Sequence, residues 1–300
     1  MKQPNSIRAL QRYLAIFAFV FAVVLSGQPA NAQVITLTDE NSFVKLDLGS
    51  PSGMFDWSLF FAPPNPIYGE TSYNSLSHDW FWFRVGNLPE RSIDSISAPG
   101  VVMPDARRVF ASYFNGQFGV VVHYELTGSP LIPFSTGTAQ LTVTATITNA
   151  TAAPLDFHLF QYANIEFAAH AVSLATNAMG QFSEERFDLG SGSFRTIVSS
   201  AAAHGEVGLW PATLFRLNDN SPTTLNDSAG PLGPGDLTAA LQWDLVIPPA
   251  GSVTILQDKY LQINFIPEPS IGSITLLGFA VSARRRNRGL GSRLQCQRDG

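Results

Sequence analysis

Three features of this sequence predict an all-β fold, an antiparallel β-sandwich: strict alternation of apolar and polar residues, frequent turn chemistry, and scarce helical periodicity. The alternation is clearest in LTVTATITN (141–149). Leu141, Val143, Ala145 and Ile147 fall on one face, and Thr142, Thr144, Thr146 and Thr148 on the other. A strand of this kind is half-buried, with one wet face.

The remaining elements follow in order. VITLTDENSFVKLDL (34–48) reads as a hairpin turning at Asp39-Glu40-Asn41. HDWFWFR (78–84) is apolar on both faces, as in a central core strand. FGVVVHYEL (118–126), FHLFQYANIEF (157–167) and VGLWPATLFRL (207–217) are further strand candidates. AHAVSLATNAMGQF (169–182) is ambiguous between strand and helix. NDNSPTTLNDSAGPLGPGD (218–236) is a long connection rich in Asn, Asp, Gly and Pro. ALQWDLVI (240–247) and SVTILQDKYLQI (252–263) form a closing hairpin through Pro248-Pro249-Ala250-Gly251. The body, residues 33–265, reads as one large sandwich in preference to two small ones joined at 128–139.

Composition narrows the function. Charged residues make up 14% of the chain, below the roughly 25% usual for soluble domains. Between Gln33 and Ile266, nine basic residues face 21 acidic ones, a net charge of −12. Such a body argues against nucleic acid as a partner, because phosphate binding needs a basic surface. The single cysteine, Cys296, excludes an internal disulfide and any cysteine-based zinc or redox motif.

The two ends carry addresses. Lys2, Arg8 and Arg12 precede an apolar run from Leu14 to Leu25. Ala30-Asn31-Ala32 then supplies the small-x-small pattern of a signal-peptidase site, with the cut before Gln33. The run would make about 18 Å of helix, short of the ~30 Å hydrocarbon core. Residues 1–32 are therefore read as a cleaved signal peptide. At the other end, Pro267-Glu268-Pro269 breaks regular structure. A mostly apolar stretch from Ile271 to Ala283 follows, then Arg284, Arg285, Arg286 and Arg288. Inserted as a short membrane helix, this segment would keep its arginines on the cytoplasmic side and leave the body outside.

This arrangement over 266–288 resembles the PEP-CTERM sorting signal of bacterial exported proteins. The resemblance implies recognition by a membrane enzyme, exosortase, after signal peptidase has acted, with cleavage near Pro267-Glu268-Pro269. It also implies association with exopolysaccharide, and an envelope or extracellular destination after a transient membrane stage. Two features depart from the pattern: the apolar part is short, and residues 289–300, expected to be a disordered tail, trail the arginines. HDWFWFRVGNLPERSID (78–94) and residues 235–259 loosely resemble bodies of other PEP-CTERM-bearing proteins, without implying an activity.

Chemistry in the body is sparse. Trp80 and Trp82 share one strand face and could stack on sugar rings, unless both pack inside with Phe81 and Phe83 opposite. His78-Asp79, His123-x-Glu125, Asp156-x-His158 and His204-x-Glu206 pair an imidazole with a carboxylate. No nucleophile elbow, HExxH or phosphate loop accompanies them, so no catalytic residue is assigned. GSGSF (190–194) lacks the phosphate-loop lysine. Asp219 and Asp227 could offer oxygens to calcium, but outside the spacing of a dedicated loop, so no metal or cofactor is expected. Asn149-Ala150-Thr151 and Asn226-Asp227-Ser228 match the glycosylation sequon, which has little bearing on a bacterial chain. The reading is a structural or adhesive surface protein, not an enzyme; the alternative binds or cleaves carbohydrate.

Overall fold

A computed structural model describes residues 34–60, 72–74, 76–132, 137–165, 170–176, 182–188, 192–198, 200 and 202–263. The signal-peptide residues Ala30, Ala32 and Gln33, the sorting residues Pro267, Glu268 and Pro269, and Arg284, Arg285 and Arg286 lie outside them. Among the described residues no helix is long and apolar enough to cross a membrane.

In chain order the strands are β1 (Val34–Asp39), β2 (Ser42–Asp47), β3 (Gly53–Phe60), β4 (Ser72–Asn74), β5 (Leu76–Val85) and β6 (Arg91–Ser92). Next come β7 (Gly100–Asp105), β8 (Arg108–Phe114), β9 (Phe118–Gly128), β10 (Gly137–Asn149) and β11 (Leu155–Ile165). The last are β12 (His170–Thr176), β13 (Phe182–Asp188), β14 (Gly192–Val198), β15 (His204–Leu209), β16 (Leu237–Ile247) and β17 (Ser252–Ile263). Among the described residues a short α-helix, α1 (Ala212–Arg216), and a 3-10 turn at Ile93–Ser95 interrupt them. The first sheet runs β1-β2-β3-β5-β11-β16-β15, with β4 on β3 and β6 on β5. The second runs β12-β13-β14-β17-β10-β9-β8-β7. The pairing is antiparallel except for a brief parallel contact between β3 and β5. This is the expected antiparallel β-sandwich.

The period-two pattern dictates which faces meet. On β10, Leu141, Val143, Ala145 and Ile147 are buried, while Thr142, Thr144, Thr146 and Thr148 stay half-buried on the outer face. Opposite them, β5 and β11 send Phe81, Phe83, Phe157 and Leu159 inward. Phe83 stacks on Phe157 at 5.8 Å, and both meet Phe118 of β9 edge-on at 5.4 and 5.2 Å. Such ring pairs add about 0.5–1.5 kcal/mol each beyond the area they bury.

Within this apolar layer lies one ion pair. Lys259 of β17 reaches across the sandwich to the Asp79 carboxylate of β5, with side chains only 1% and 3% exposed. The same Asp79 oxygen accepts a hydrogen bond from Gln161 Nε2 of β11 at 3.1 Å. The link therefore ties one strand of the second sheet to two of the first.

Turns follow the chemistry of their residues. The first hairpin pairs Asp39 with Ser42, leaving Glu40-Asn41 as a two-residue loop. Asn41 then fastens this loop to the other sheet, accepting from the Ser129 N–H at 2.9 Å and donating to its hydroxyl at 3.1 Å. The expected closing hairpin does not form: β16 and β17 lie in different sheets, so residues 248–251 carry the chain from one layer to the other. Fully buried Asn149 fastens this crossing by donating to the Ile247 and Pro248 carbonyls at 3.0 and 3.2 Å. Its role in the sequon position is thus a structural bond.

One strand expectation requires correction. Residues 207–217 do not run as a single strand: β15 ends at Leu209, and α1 begins after Pro211. Proline has no N–H to continue a ladder, and Pro211 stands as the residue just before the first helical turn. In the ambiguous stretch, residues 170–176 are strand β12, and β13 begins at Phe182.

Replacing Lys259 by Met strands a buried carboxylate, and the expected cost is about 3–5 kcal/mol. The double variant Asp79→Leu/Lys259→Met should recover most of that loss. Urea denaturation of the parent, the two single variants Asp79→Leu and Lys259→Met, and the double variant checks both statements, and additive losses would contradict the pairing.

Candidate functional site

Strand β5 places successive side chains on opposite faces. Asp79, Phe81 and Phe83 point between the sheets, whereas His78, Trp80, Trp82 and Arg84 lie on the outer face of the first sheet. His78 and Asp79 are consequently separated by the backbone and do not work as a pair. Trp80 is 0% exposed and presents no free ring face. Its Nε1 donates to Ser92 Oγ at 2.8 Å and Asp94 Oδ1 at 3.2 Å. Gly53 makes room for it: at φ +55 its missing Cβ would lie 2.4 Å from the indole. Trp82, also fully buried, meets His78 at 5.6 Å and Tyr162 at 6.0 Å, both edge-on.

Beside Trp82 the outer face opens into a cleft of about 680 Å³. The walls come from Val34, Asp47, Pro51, Ser52, Phe55, Ser77, His78, Trp82, Leu214 and Asn218. Interruptions of the ladders make this opening. Between β2 and β3 the register passes from Lys45–Asp56 to Leu46–Met54, leaving Phe55 unpaired. Between β5 and β11 it passes from His78–Asn164 to Leu76–Ile165, leaving Ser77 unpaired. Between β3 and β5 both Gly53 and Met54 face Asp79. Of the four register shifts among the described ladders, these three surround the cleft; the other lies between β7 and β8. Bulges of this kind re-aim side chains that a regular strand would direct elsewhere.

His78 is the cleft's titratable ring. Its Nε2 lies 2.8 Å from the Pro51 carbonyl, which can only accept, so that nitrogen carries the proton. Burial lowers its pKa below the ordinary imidazole value, against the opposing Pro51 bond and Asp79 charge. The neutral ring thus leaves Nδ1 as an acceptor. Across the cleft, Asn218 holds Trp82 by accepting its indole N–H at 3.2 Å and donates to the Leu214 carbonyl at 2.8 Å.

The segment after α1 covers the rest of this face and collects most of the other sequence candidates. Arg84 bonds Glu90 at 3.0 Å and the Thr223 carbonyl, while the Thr223 N–H bonds Glu90 at 2.9 Å. Glu206 does not pair with His204; it takes Thr213 at 2.5 Å, Arg216, and the Asn226 N–H at 3.1 Å. His204 instead lies 3.0 Å from Asp227 and 3.6 Å from Asp244. His158 lies 2.5 Å from Asp244 and 3.4 Å from Asp156, so that predicted pair does meet. Burial pushes the Asp244 carboxyl up, but bonds from Gln242 and His158 outweigh it and hold it below its ordinary value. His123 stacks on Phe110 at 4.1 Å on the outer face of the second sheet.

Asp219 and Asp227, the calcium candidates, have separate partners: Asp219 accepts its own Ser221 N–H at 2.7 Å, and Asp227 accepts the Gly205 N–H at 3.2 Å. Among the described residues no group of three or more His, Cys, Asp or Glu is arranged to hold a metal ion. Sequence reasoning missed Asp47, Phe55, Ser77, Leu214 and Asn218 as lining residues. Ser77 adjoins the singled-out HDWFWFR stretch, but nothing local signals its bulge.

No protein-family model matches this chain, and no curated protein sequence matches it. Solved structures do resemble it. An aldose 1-epimerase-like protein of Escherichia coli K12 has 10% identity and a TM-score of 0.49, covering 78% of this chain and 99% of its own. A galactose mutarotase-related enzyme of Lactobacillus acidophilus has 7% identity and a TM-score of 0.47, covering 76% and 97%. A bacterial glucoamylase in complex with acarbose has 9% identity and a TM-score of 0.47; 84% of this chain spans 36% of that one. Likenesses at this level assign no activity.

Stability should fall as pH drops below about 6.5, the ordinary imidazole value, because His78 and His123 are both held lower in the fold, chiefly by burial. The unfolded chain then binds protons that the folded one refuses, and the loss ends once pH passes below the folded values. Urea midpoints between pH 5 and 8 check this, and a His78→Gln/His123→Gln variant should show a flatter profile. Cutting Asp227→Ala with a protease should be faster within 218–236 than in the parent, since His204 and Gly205 lose their shared anchor.

Proposed function

We propose that this chain is an exported bacterial envelope or extracellular-matrix protein whose β body binds a saccharide in the cleft of the first sheet. The observation that carries the reading is the convergence of three ladder interruptions on one opening. They set Phe55 and Ser77 beside Trp82, His78, Asp47 and Asn218. Sugar rings have apolar faces and hydroxyl edges, and this lining pairs the partly exposed Phe55 ring, with the buried Trp82 behind the opening, with hydroxyl, amide, imidazole and carboxylate groups.

Binding without turnover is the preferred reading. Asp47 is the one carboxylate in the described lining, whereas glycoside hydrolysis generally uses two flanking the scissile bond. An adhesive role for such a protein accords with the addresses at its ends. In that scheme signal peptidase cuts before Gln33, the segment from Pro267 to Arg286 engages an exosortase-like enzyme, and the body is left outside near exopolysaccharide.

A glycan array with the purified protein tests the binding reading. Trp82→Ala and Asn218→Ala should each weaken a positive glycan by roughly tenfold or more, while circular dichroism stays that of a β protein. Absence of any glycan signal would remove the reading, and hydrolysis of a bound glycan abolished in His78→Ala would replace it with an enzymatic one. Intact mass of protein made in an exosortase-containing host should show a start at Gln33 and loss of Cys296.

A further inference from the structure

Trp210 departs from every other tryptophan in this protein. Trp57, Trp80, Trp82 and Trp243 are at most 1% exposed, whereas Trp210 is 52% exposed. Its neighbours behave alike: Leu209 is 59% exposed and Phe215 is 68% exposed. Large apolar side chains gathered in the open mark a contact surface more often than isolated ones do.

The position of these rings ties them to the cleft. Trp210 and Phe215 flank and form part of α1, and the same helix supplies Leu214 to the cleft wall. Asn218, the residue that holds Trp82, donates its backbone N–H to the Phe215 carbonyl at 3.2 Å. The aromatic shoulder and the cleft are therefore two sides of one short element.

That element is anchored from beneath. The Trp210 N–H bonds the Asp236 carbonyl at 3.0 Å, and the Phe215 N–H bonds the Pro211 carbonyl at 3.0 Å. Thr213, buried under the helix, bonds Glu206 at 2.5 Å, and Arg216 pairs with the same carboxylate. Glu206 is itself only 2% exposed. A shoulder held this way loses little backbone freedom when something settles on it.

Resting on the saccharide reading of the cleft, we propose that the ligand is a chain of sugar units, one bound in the cleft and the next lying over Trp210 and Phe215. Continuity with the cleft selects this occupant: Leu214 lines the opening, Phe215 is the next residue of the same helix and Trp210 stands just before it, and aromatic faces suit the apolar faces of successive rings. The protein thereby recognises polysaccharide over free monosaccharide.

Calorimetric titration of the full-length protein with cello-, chito- and xylo-oligosaccharides, from disaccharide to octasaccharide, tests this. Affinity for the series that binds should rise with length. Trp210→Ala and Phe215→Ala should each remove about tenfold of that gain while leaving disaccharide affinity unchanged. Binding that depends on Trp82 but is independent of length, or whose length dependence survives both substitutions, overturns the chain proposal and keeps the cleft reading. Binding by none of the three series at any length overturns the chain proposal for these polymers, and a glycan array then decides the cleft reading separately. Sedimentation showing a dimer that Trp210→Ala dissociates would also overturn it, by assigning the shoulder to a second copy of the chain.

Discussion

The Lys259–Asp79 pair, with Gln161 beside it, is the constraint around which the sandwich is arranged. Taking an ammonium and a carboxylate out of water costs several kcal/mol for each ion, and only close, well-bonded geometry offsets it. Asp79 supplies that geometry by accepting from β17 and β11 at once. Sliding one sheet past the other would leave a bare charge in an apolar layer, so the pair tolerates little displacement. It also fixes β5, whose residues on either side of Asp79 are His78 and Trp80.

From that anchored strand the two faces of the first sheet take different characters. The inner face is regular and apolar, closed by the Phe83, Phe118 and Phe157 rings. The outer face mixes buried aromatic rings, Trp80, Trp82, Phe160 and Tyr162, with polar groups, and is interrupted and largely covered by the segment after α1. Its groups are satisfied in clusters: Arg84 with Glu90 and Thr223, Glu206 with Thr213 and Arg216, His204 with Asp227. Buried polar groups of this number are tolerated because most of them are bonded, and each cluster fastens the covering segment to the sheet. The cleft is the place where that cover stops, beside Asn218.

The long ladders of the second sheet show the contrasting case. Between β9, β10 and β17 every described pairing keeps register, and the outer face carries threonines and half-exposed polar residues. Nothing there re-aims a side chain. Irregularity concentrates where β2, β3, β5 and β11 meet, which is also where the opening forms.

The β-sandwich, the hairpin at 34–48 and the shared face of Trp80 and Trp82 were legible in the sequence, because alternation and turn residues act over a few neighbours; that β16 and β17 part into different sheets, and that Phe81 and Phe83 rather than the indoles turn inward, was not. The break at Trp210-Pro211 was missed: the apolar run around it was read as one strand, although proline's missing donor stood against that. Other features had no local signal. The sequence puts His204 two residues from Glu206, but Asp227 and Asp244 take the ring instead. Phe55 and Ser77 look like ordinary strand residues until a neighbouring strand fails to match them. Local pattern by itself determined fold class and side-chain faces, since each depends on the chain's own periodicity. Which polar groups meet, and where the sheet opens, only the tertiary structure decided, since both depend on register between strands far apart in sequence.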